Sequence, residues 1–431
     1  MRSARRVSIA VVVAGVVGAL ATSGLSAGAA APSVDGVTNN SIKIGYIFSK
    51  TGVAGSTFQN ADKGCKARVD RENAAGGVNG RKVDVTYVDD QSSGANLTAA
   101  QDLIQNKHVF TLMNNSSFAF LTYRWLLEHN VPFVSGGYDG TYYGDPGNEN
   151  IVSALGNVFP QNGVTTDGLA KLMKFMGAKR VAALAYGVSA SSTAAAQSLL
   201  NYAVPSVGLK KGYLNTTVDF GSTDVGPLVL GIKNDGADGV YLPLVANSNI
   251  AVAQQLAQNG VKMKAIVMAT GYGQPMLDQP ASKSFGSNIV MATGWAPVEL
   301  KTKATNQFQA DLKKYAGYTG VPDFGVYTGY IDCDLVLLGL KAAGQNPTRQ
   351  SFIDGLHKLG KFNPGGGLGC QDVDISLANY GHATPTNCTR YVQVKNGKFT
   401  ILKQKNGNSI WTGKLIGATA QATTTTSAPP A

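Results

Sequence analysis

The sequence predicts an α/β protein built around two successive parallel sheets. Apolar runs of strand length alternate with amphipathic runs of helix length, and the alternation restarts midway. A chain of 431 residues, with 44% of them hydrophobic, is long enough for two domains, each with its own core.

The first round begins at Ser41. SIKIGYIF reads as a strand, and GSTFQNADKGCKARVDRENAAGG as a helix stopped by Gly76-Gly77. RKVDVTYVDD alternates as a strand, GANLTAAQDLIQNK is helical, and HVFTLM is an apolar strand. SSFAFLTYRWLLEHN reads as a serine-capped helix and VPFVSGG as a short buried strand. The second round opens with GVTTDGLAKLMKFMG as a helix, KRVAALAYG as a strand and SSTAAAQSLLNYAV as a helix. GLKKGYLN, DVGPLVLGIKNDG, ADGVYLPLV, SNIAVAQQLAQNG and MKAIVMATG continue as strand, helix, strand, helix, strand. Such repeated βαβ units imply parallel sheets. Beyond Trp295, KATNQFQADLKKYAG, FGVYTGYIDCDLVLLGLKAAG and TRQSFIDGLHKLG read as three helices. RYVQVKNGKFTIL reads as a hairpin turning at Asn396-Gly397.

The two ends read differently. Arg2, Arg5 and Arg6 precede VSIAVVVAGVVGALA, and small residues surround Ala27, Ala29 and Ala30, the pattern of a cleaved signal peptide over 1–31. The competing reading is a membrane anchor, but the apolar stretch is short for a span of about 20 residues. GATAQATTTTSAPPA, 417–431, reads as a disordered tail. An exported protein, periplasmic or at the cell surface and monomeric, is expected. The net charge of +11 is dispersed without a basic run, so nucleic acid is not an expected partner.

The four cysteines fit an oxidising compartment and two disulfides. Cys370 and Cys388 flank a Gly- and Asn-rich segment whose disorder a bridge would limit. His108, His129, His357 and His382 are scattered, the cysteines lack ligand spacing, and neither a metal nor a cofactor is expected. G-x-S-x-G, H-E-x-x-H and G-x-x-x-x-G-K-[ST] are absent from the sequence, which points away from an enzyme.

SIKIGYIFSKTGVAGSTFQNADKG and NAAGGVNGRKVDVTYVDDQSSGANLTAAQDLI resemble the first lobe of type I periplasmic binding proteins, in particular the branched-chain amino-acid receptors of ABC transporters. The likeness runs from about Ser41 to about Tyr330. It implies two Rossmann-like lobes with central parallel sheets, joined by a three-crossover hinge, and a ligand between them. It also implies lobe 1 at 37–158 and 297–362, lobe 2 at 159–296 and 363–416, and a Cys65–Cys333 bridge within lobe 1. The implied role is capture of a small molecule, an amino acid or other carboxylate, for an ABC permease. Signalling through a separate membrane protein is the alternative.

Candidate site residues follow from loops at strand ends. NNSS, 114–117, offers helix-start amides and the hydroxyls of Ser116 and Ser117 to a carboxylate, or simply caps a helix. The resemblance favours Ser116 as the carboxylate ligand. SGGYDG contributes Ser135, Gly137, Tyr138 and Asp139, glycine allowing close approach and Asp139 a partner for an ammonium. An ordinary Gly-Asp turn is the plainer reading of that loop. Thr57 and Phe58 complete the first-lobe set. Tyr186, Ser191, Ser248 and Tyr272 are the second-lobe candidates. Two departures from the family pattern bear on the ligand: Ala190-Ser191 replaces a Tyr-Gly pair, and Ser248 stands where an acid is expected. A buried ammonium without a charge partner is costly, so an apolar or aromatic carboxylic acid is the alternative ligand. Phe58, Phe118, Tyr138, Tyr142, Tyr143, Tyr186, Tyr272 and Trp295 either wall it or pack cores.

Overall fold

The computed structural model describes residues 34–138, 140–156, 164–382 and 385–417. The expected signal peptide, Asp139, the lobe boundary at 158/159 and all but Gly417 of the expected tail lie outside these residues.

The first block contains β1 (Ser41–Phe48), α1 (Gly55–Phe58), α2 (Ala61–Ala74), β2 (Lys82–Asp89), α3 (Ala95–Gln105), β3 (Leu112–Asn115), α4 (Tyr123–Glu128), β4 (Phe133–Ser135) and β5 (Ile151–Ser153). Its five strands are all parallel, in the order β2-β1-β3-β4-β5. β1 is buried continuously from Ile44 to Phe48, as a parallel strand covered on both faces must be.

The second block begins with β6 (Thr165–Thr166), α5 (Gly168–Phe175), β7 (Arg180–Tyr186) and α6 (Ala190–Ser198). A π-helical turn then leads into α7 (Val204–Ser206). It continues with β8 (Lys210–Val218), α8 (Gly226–Asp235), β9 (Gly239–Leu242), α9 (Ala246–Gln258), β10 (Ala265–Met268), α10 (Gln274–Asp278) and β11 (Ile289–Thr293).

The chain then returns to the first block as α11 (Lys303–Ala316), α12 (Phe324–Ala342) and α13 (Arg349–Leu359). β12 (Lys361–Phe362) and β13 (Val373–Asp374) form a small pair. β14 (Arg390–Lys395) and β15 (Lys398–Ile401) add the antiparallel edge of the second sheet, and β16 (Leu415–Ile416) pairs with β6. That sheet runs β15-β14-β11-β10-β9-β7-β8. Asn396 and Gly397 have φ of 52° and 69°, the left-handed pair a two-residue hairpin turn requires.

α12 is buried nearly all round and lies on α2 at backbone contact. A Cβ on Gly64 would stand 1.9 Å from the Val326 carbonyl oxygen, and one on Gly329 would stand 2.1 Å from that of Ala61. This approach brings the Cys65 and Cys333 Cα atoms to 5.3 Å, and those residues form a disulfide. Beside it, Arg68 Nε binds Asp334 at 2.6 Å, and Lys341 Nζ binds Glu72 at 2.6 Å. Cys370 and Cys388 form the second bridge, so both expected pairings are present.

Three local expectations change. The strand expected at HVFTLM is displaced toward the C-terminus, because β3 pairs Leu112–Asn115 with Gly45–Phe48 and draws two asparagines into the sheet. The helix expected at SSFAFLTYRWLLEHN is broken into a 3-10 turn at Ala119–Leu121 and α4. Residues 363–381, expected with the second block, pack on the first. The Ile375 carbonyl lies 2.7 Å from His357 Nδ1, Tyr380 Oη donates to Ile151 O at 2.9 Å, and Gly381 N donates to Gly144 O at 2.7 Å. No helix among the described residues is long and apolar enough to cross a membrane.

The two bridges close loops of very different length, 268 and 18 residues. In the chain-entropy account they contribute about 5.6 and about 3.2 kcal/mol. Replacing Cys65 and Cys333 by alanine should therefore lower Tm more than replacing Cys370 and Cys388. Calorimetry of the two double variants checks this ordering, and the reverse order contradicts it.

Candidate functional site

The second sheet's parallel strands end toward the first block. Just past their carboxyl ends stand Tyr186, Leu244, Thr270 and Trp295, the usual position for a ligand site in an α/β sheet. From the first block, α1 brings Thr57 and Phe58, the loop after β3 brings Ser117, the loop after β4 brings Tyr138, and the start of α12 brings Phe324. These groups enclose a cavity of about 310 Å³, within the range that holds small molecules.

One wall is aromatic. Phe58 stacks on Tyr138 at 5.6 Å, and Phe324 meets their edges at 5.5 and 5.1 Å. Trp295 packs against Phe324 at 5.2 Å, and Tyr186 against Phe220 at 4.6 Å. The polar side chains of the described lining are hydroxyls, the Asn387 amide and the indoles of Trp295 and Trp411. Ser189 caps α6, its Oγ accepting from the Ser192 amide at 3.3 Å and lying 3.1 Å from Ser191 Oγ. Ser189 and Ser191 at that helix start line the cavity, and the first backbone N–H groups of a helix have no intrahelical acceptor. Trp295 is 2% exposed, and its Nε1 has no hydrogen-bond partner. No Asp, Glu, Lys, Arg or His is among the described residues lining the cavity.

The two blocks touch at the rim. Thr57 Oγ1 accepts from the Ala246 amide at 3.0 Å, and Ser56 Oγ donates to Asn247 Oδ1 at 3.1 Å. Phe118 meets Phe220 at 5.0 Å.

Of the expected residues, Thr57, Phe58, Ser117, Tyr138, Tyr186 and Ser191 come together at the cavity. Ser116 does not. It is fully buried, donates to Asp90 Oδ2, and accepts from Ser49 Oγ at 3.0 Å and from the Phe118 amide at 3.0 Å. Asp90 also accepts from Ser49 Oγ at 2.9 Å and Asn96 Nδ2 at 2.8 Å, so the hydroxyl belongs to a closed internal network. Ser248 is fully buried behind Tyr186, whose hydroxyl donates to it at 2.9 Å. Burial pushes the Tyr186 phenol above its ordinary pKa, so it remains a neutral donor. Tyr272 turns away, donating to Glu299 Oε2 at 2.8 Å and lining a smaller neighbouring cavity. Ser135 and Gly137 lie outside the lining. Gly137 has φ of 76°, and a Cβ there would stand 2.1 Å from Ser153 Oγ, so its glycine serves the turn. Tyr142 and Tyr143 belong to the first block's core, Tyr142 stacking on Tyr123 at 4.0 Å.

Ser189, Phe220, Phe324, Tyr391 and Trp411 line the cavity without having been expected there. Ser189 was recoverable as the capping serine of SASS. Tyr391 and Trp411 arrive through long-range pairing of the C-terminal segment, which leaves no local signal.

Next to Phe324, Asp323 caps α12 by accepting from the Val326 amide at 2.9 Å, and also accepts from Asn60 Nδ2 at 2.7 Å. Burial pushes its pKa up to about 6, against the opposing pull of those bonds. A carboxyl raised on folding contributes stability below its unfolded pKa and loses it as pH rises through the folded value. Relative to Asp323→Asn, the native chain should therefore gain up to about 3 kcal/mol between pH 7 and pH 4. Denaturant melts of both proteins across that range check this, and a pH-independent difference contradicts it. Ser116→Ala should cost about 1–3 kcal/mol of stability, the penalty for opening a buried network, and leave ligand affinity within twofold. Paired melting and binding curves on that variant decide it, because a Ser116 that held ligand would lose affinity as well.

Comparison with known proteins places this geometry. A periplasmic binding protein family model matches residues 41–398. A Leu/Ile/Val-binding protein homolog of Brucella abortus is 27% identical over 289 residues, spanning 63% of this chain and 67% of the relative. An ABC-transporter solute-binding protein of Rhodopseudomonas palustris, solved with p-hydroxybenzoic acid, superposes with a TM-score of 0.68 at 21% identity, over 87% of this chain and 98% of that one. A branched-chain amino acid transporter substrate-binding protein of Streptococcus pneumoniae, solved with isoleucine, gives 0.67 at 20% identity, over 85% and 100%.

Proposed function

We propose that this chain, which belongs to the periplasmic binding protein family, captures a small carboxylic acid in the described cavity and delivers it to an ABC permease. The observation that carries the ligand class is the lining, which combines hydroxyls and aromatic rings with no charged side chain among the described residues. An α-amino acid would bring an ammonium to this cavity, and burying it without a charge partner is costly. A carboxylate can be held by hydrogen bonds alone, from helix-start amides and hydroxyls. Ser189 and Ser191 at the start of α6, with Ser117 opposite, supply such donors, and the Phe58–Tyr138–Phe324 wall suits an apolar or aromatic body. The relative solved with p-hydroxybenzoic acid supports this class, and the one solved with isoleucine supports the amino-acid alternative.

The protein works outside the cytoplasm as a monomer released from a cleaved leader, and it binds rather than catalyses. Its lobes are 37–158 with 297–381 and 159–296 with the C-terminal strands. Closure is driven by the contacts a ligand makes to both blocks at once, since only contacts favouring the closed form shift that equilibrium. The Thr57–Ala246 and Ser56–Asn247 bonds are the rim contacts of that form.

Calorimetric titration of the mature chain with 4-hydroxybenzoate, benzoate and leucine tests the proposal. The aromatic acids should bind at least tenfold more tightly than leucine, and Ser191→Ala should weaken them about tenfold to a hundredfold. Tight leucine binding without any response to aromatic acids would return the site to amino acids.

A further inference from the structure

The cavity is larger than the cleft between the blocks. It continues along one face of the second sheet, beneath α6, and the alternation of side chains across the strands explains why. On that face β10 and β11 carry Val267 and Val290 inward, then Ala269 and Ala292 near their cleft ends. Opposite them α6 presents Ala194, Ala195 and Ser198. Short side chains on both sides of a helix–sheet interface cannot fill the space between them, whereas protein interiors are ordinarily close-packed. Tyr241, Leu199, Tyr391 and Trp411 bound the resulting arm. The lining follows α6 from Ser191 to Ser198, a rise of about 10 Å, and continues to Leu199 in the π-helical turn.

We propose that this arm takes the hydrocarbon tail of an elongated monocarboxylic acid, with the carboxylate at the mouth near Ser189 and Ser191. The inference rests on the carboxylate reading above and adds a ligand length to it. The Trp295 indole N–H, buried and unpartnered, lines the same cavity, and a buried donor of this kind is satisfied when a ligand oxygen such as the carboxylate reaches it. Closure over a short acid leaves the arm unfilled. A long acid buries its methylenes against the alanines and the Tyr391 and Trp411 rings.

Calorimetric titration of the mature chain with butyrate, octanoate and dodecanoate, with benzoate alongside, tests this. Each methylene that enters the arm should tighten binding roughly fourfold, so octanoate should bind at least tenfold more tightly than butyrate. Affinity should stop rising once the arm is full. In Ala195→Leu and in Ala292→Leu, which narrow the arm from opposite walls, the octanoate-to-butyrate ratio should fall toward one. If either variant does not fold, the unsubstituted series still decides. Benzoate binding with an affinity flat from butyrate to dodecanoate overturns the tail site and leaves the carboxylate reading standing. Failure of every acid to bind overturns both.

Discussion

The close approach of α12 to α1 and α2 is the constraint on which the candidate site depends. Glycine at 64, 325 and 329 lets backbone meet backbone, and a Cβ at Gly325 would stand 2.9 Å from the Phe58 carbonyl oxygen. Because that contact is closed, Phe324 at the head of α12 is delivered against Phe58 and Tyr138, and the aromatic wall forms. Cys65–Cys333 and the Arg68–Asp334 pair hold the same two helices farther along. A segment more than 250 residues from α2 in sequence thus fixes the geometry of the first wall.

The opposite wall is held by a network of neutral groups. Where an acid was expected, Ser248 lies buried beneath Tyr186, and the Tyr186 hydroxyl also accepts the Val245 amide at 3.0 Å. The start of α9 is therefore tied to the end of β7 by a neutral network. Desolvating a charge costs far more than desolvating hydroxyls that are already paired.

Much of the fold was legible because its signals are local. Strand and helix periodicity located both sheets, the run FGVYTGYIDCDLVLLGLKAAG read as a helix, and Asn396-Gly397 marked its hairpin. The site was legible only in part. Thr57, Phe58, Ser117, Tyr138, Tyr186 and Ser191 sit at strand or helix ends, where position implies access. Ser116 has the same local context as Ser117, yet its hydroxyl is consumed by Asp90, a residue 26 positions earlier. Nothing near Ser116 in sequence reports that partner. Tyr391 and Trp411 reach the cavity by strand pairing and a bridge between Thr389 and Trp411, again a long-range fact.

The cavity between the blocks, whose described lining carries no charged side chain, is where an acid is proposed to bind. A crystal structure of the mature chain grown with 4-hydroxybenzoate tests it most directly. Density is expected for one acid inside the cavity, its carboxylate within hydrogen-bond distance of the Ser189–Ser191 helix start and its ring against Phe58 and Tyr138. Ligand density elsewhere, or a carboxylate held by Ser116, would contradict it.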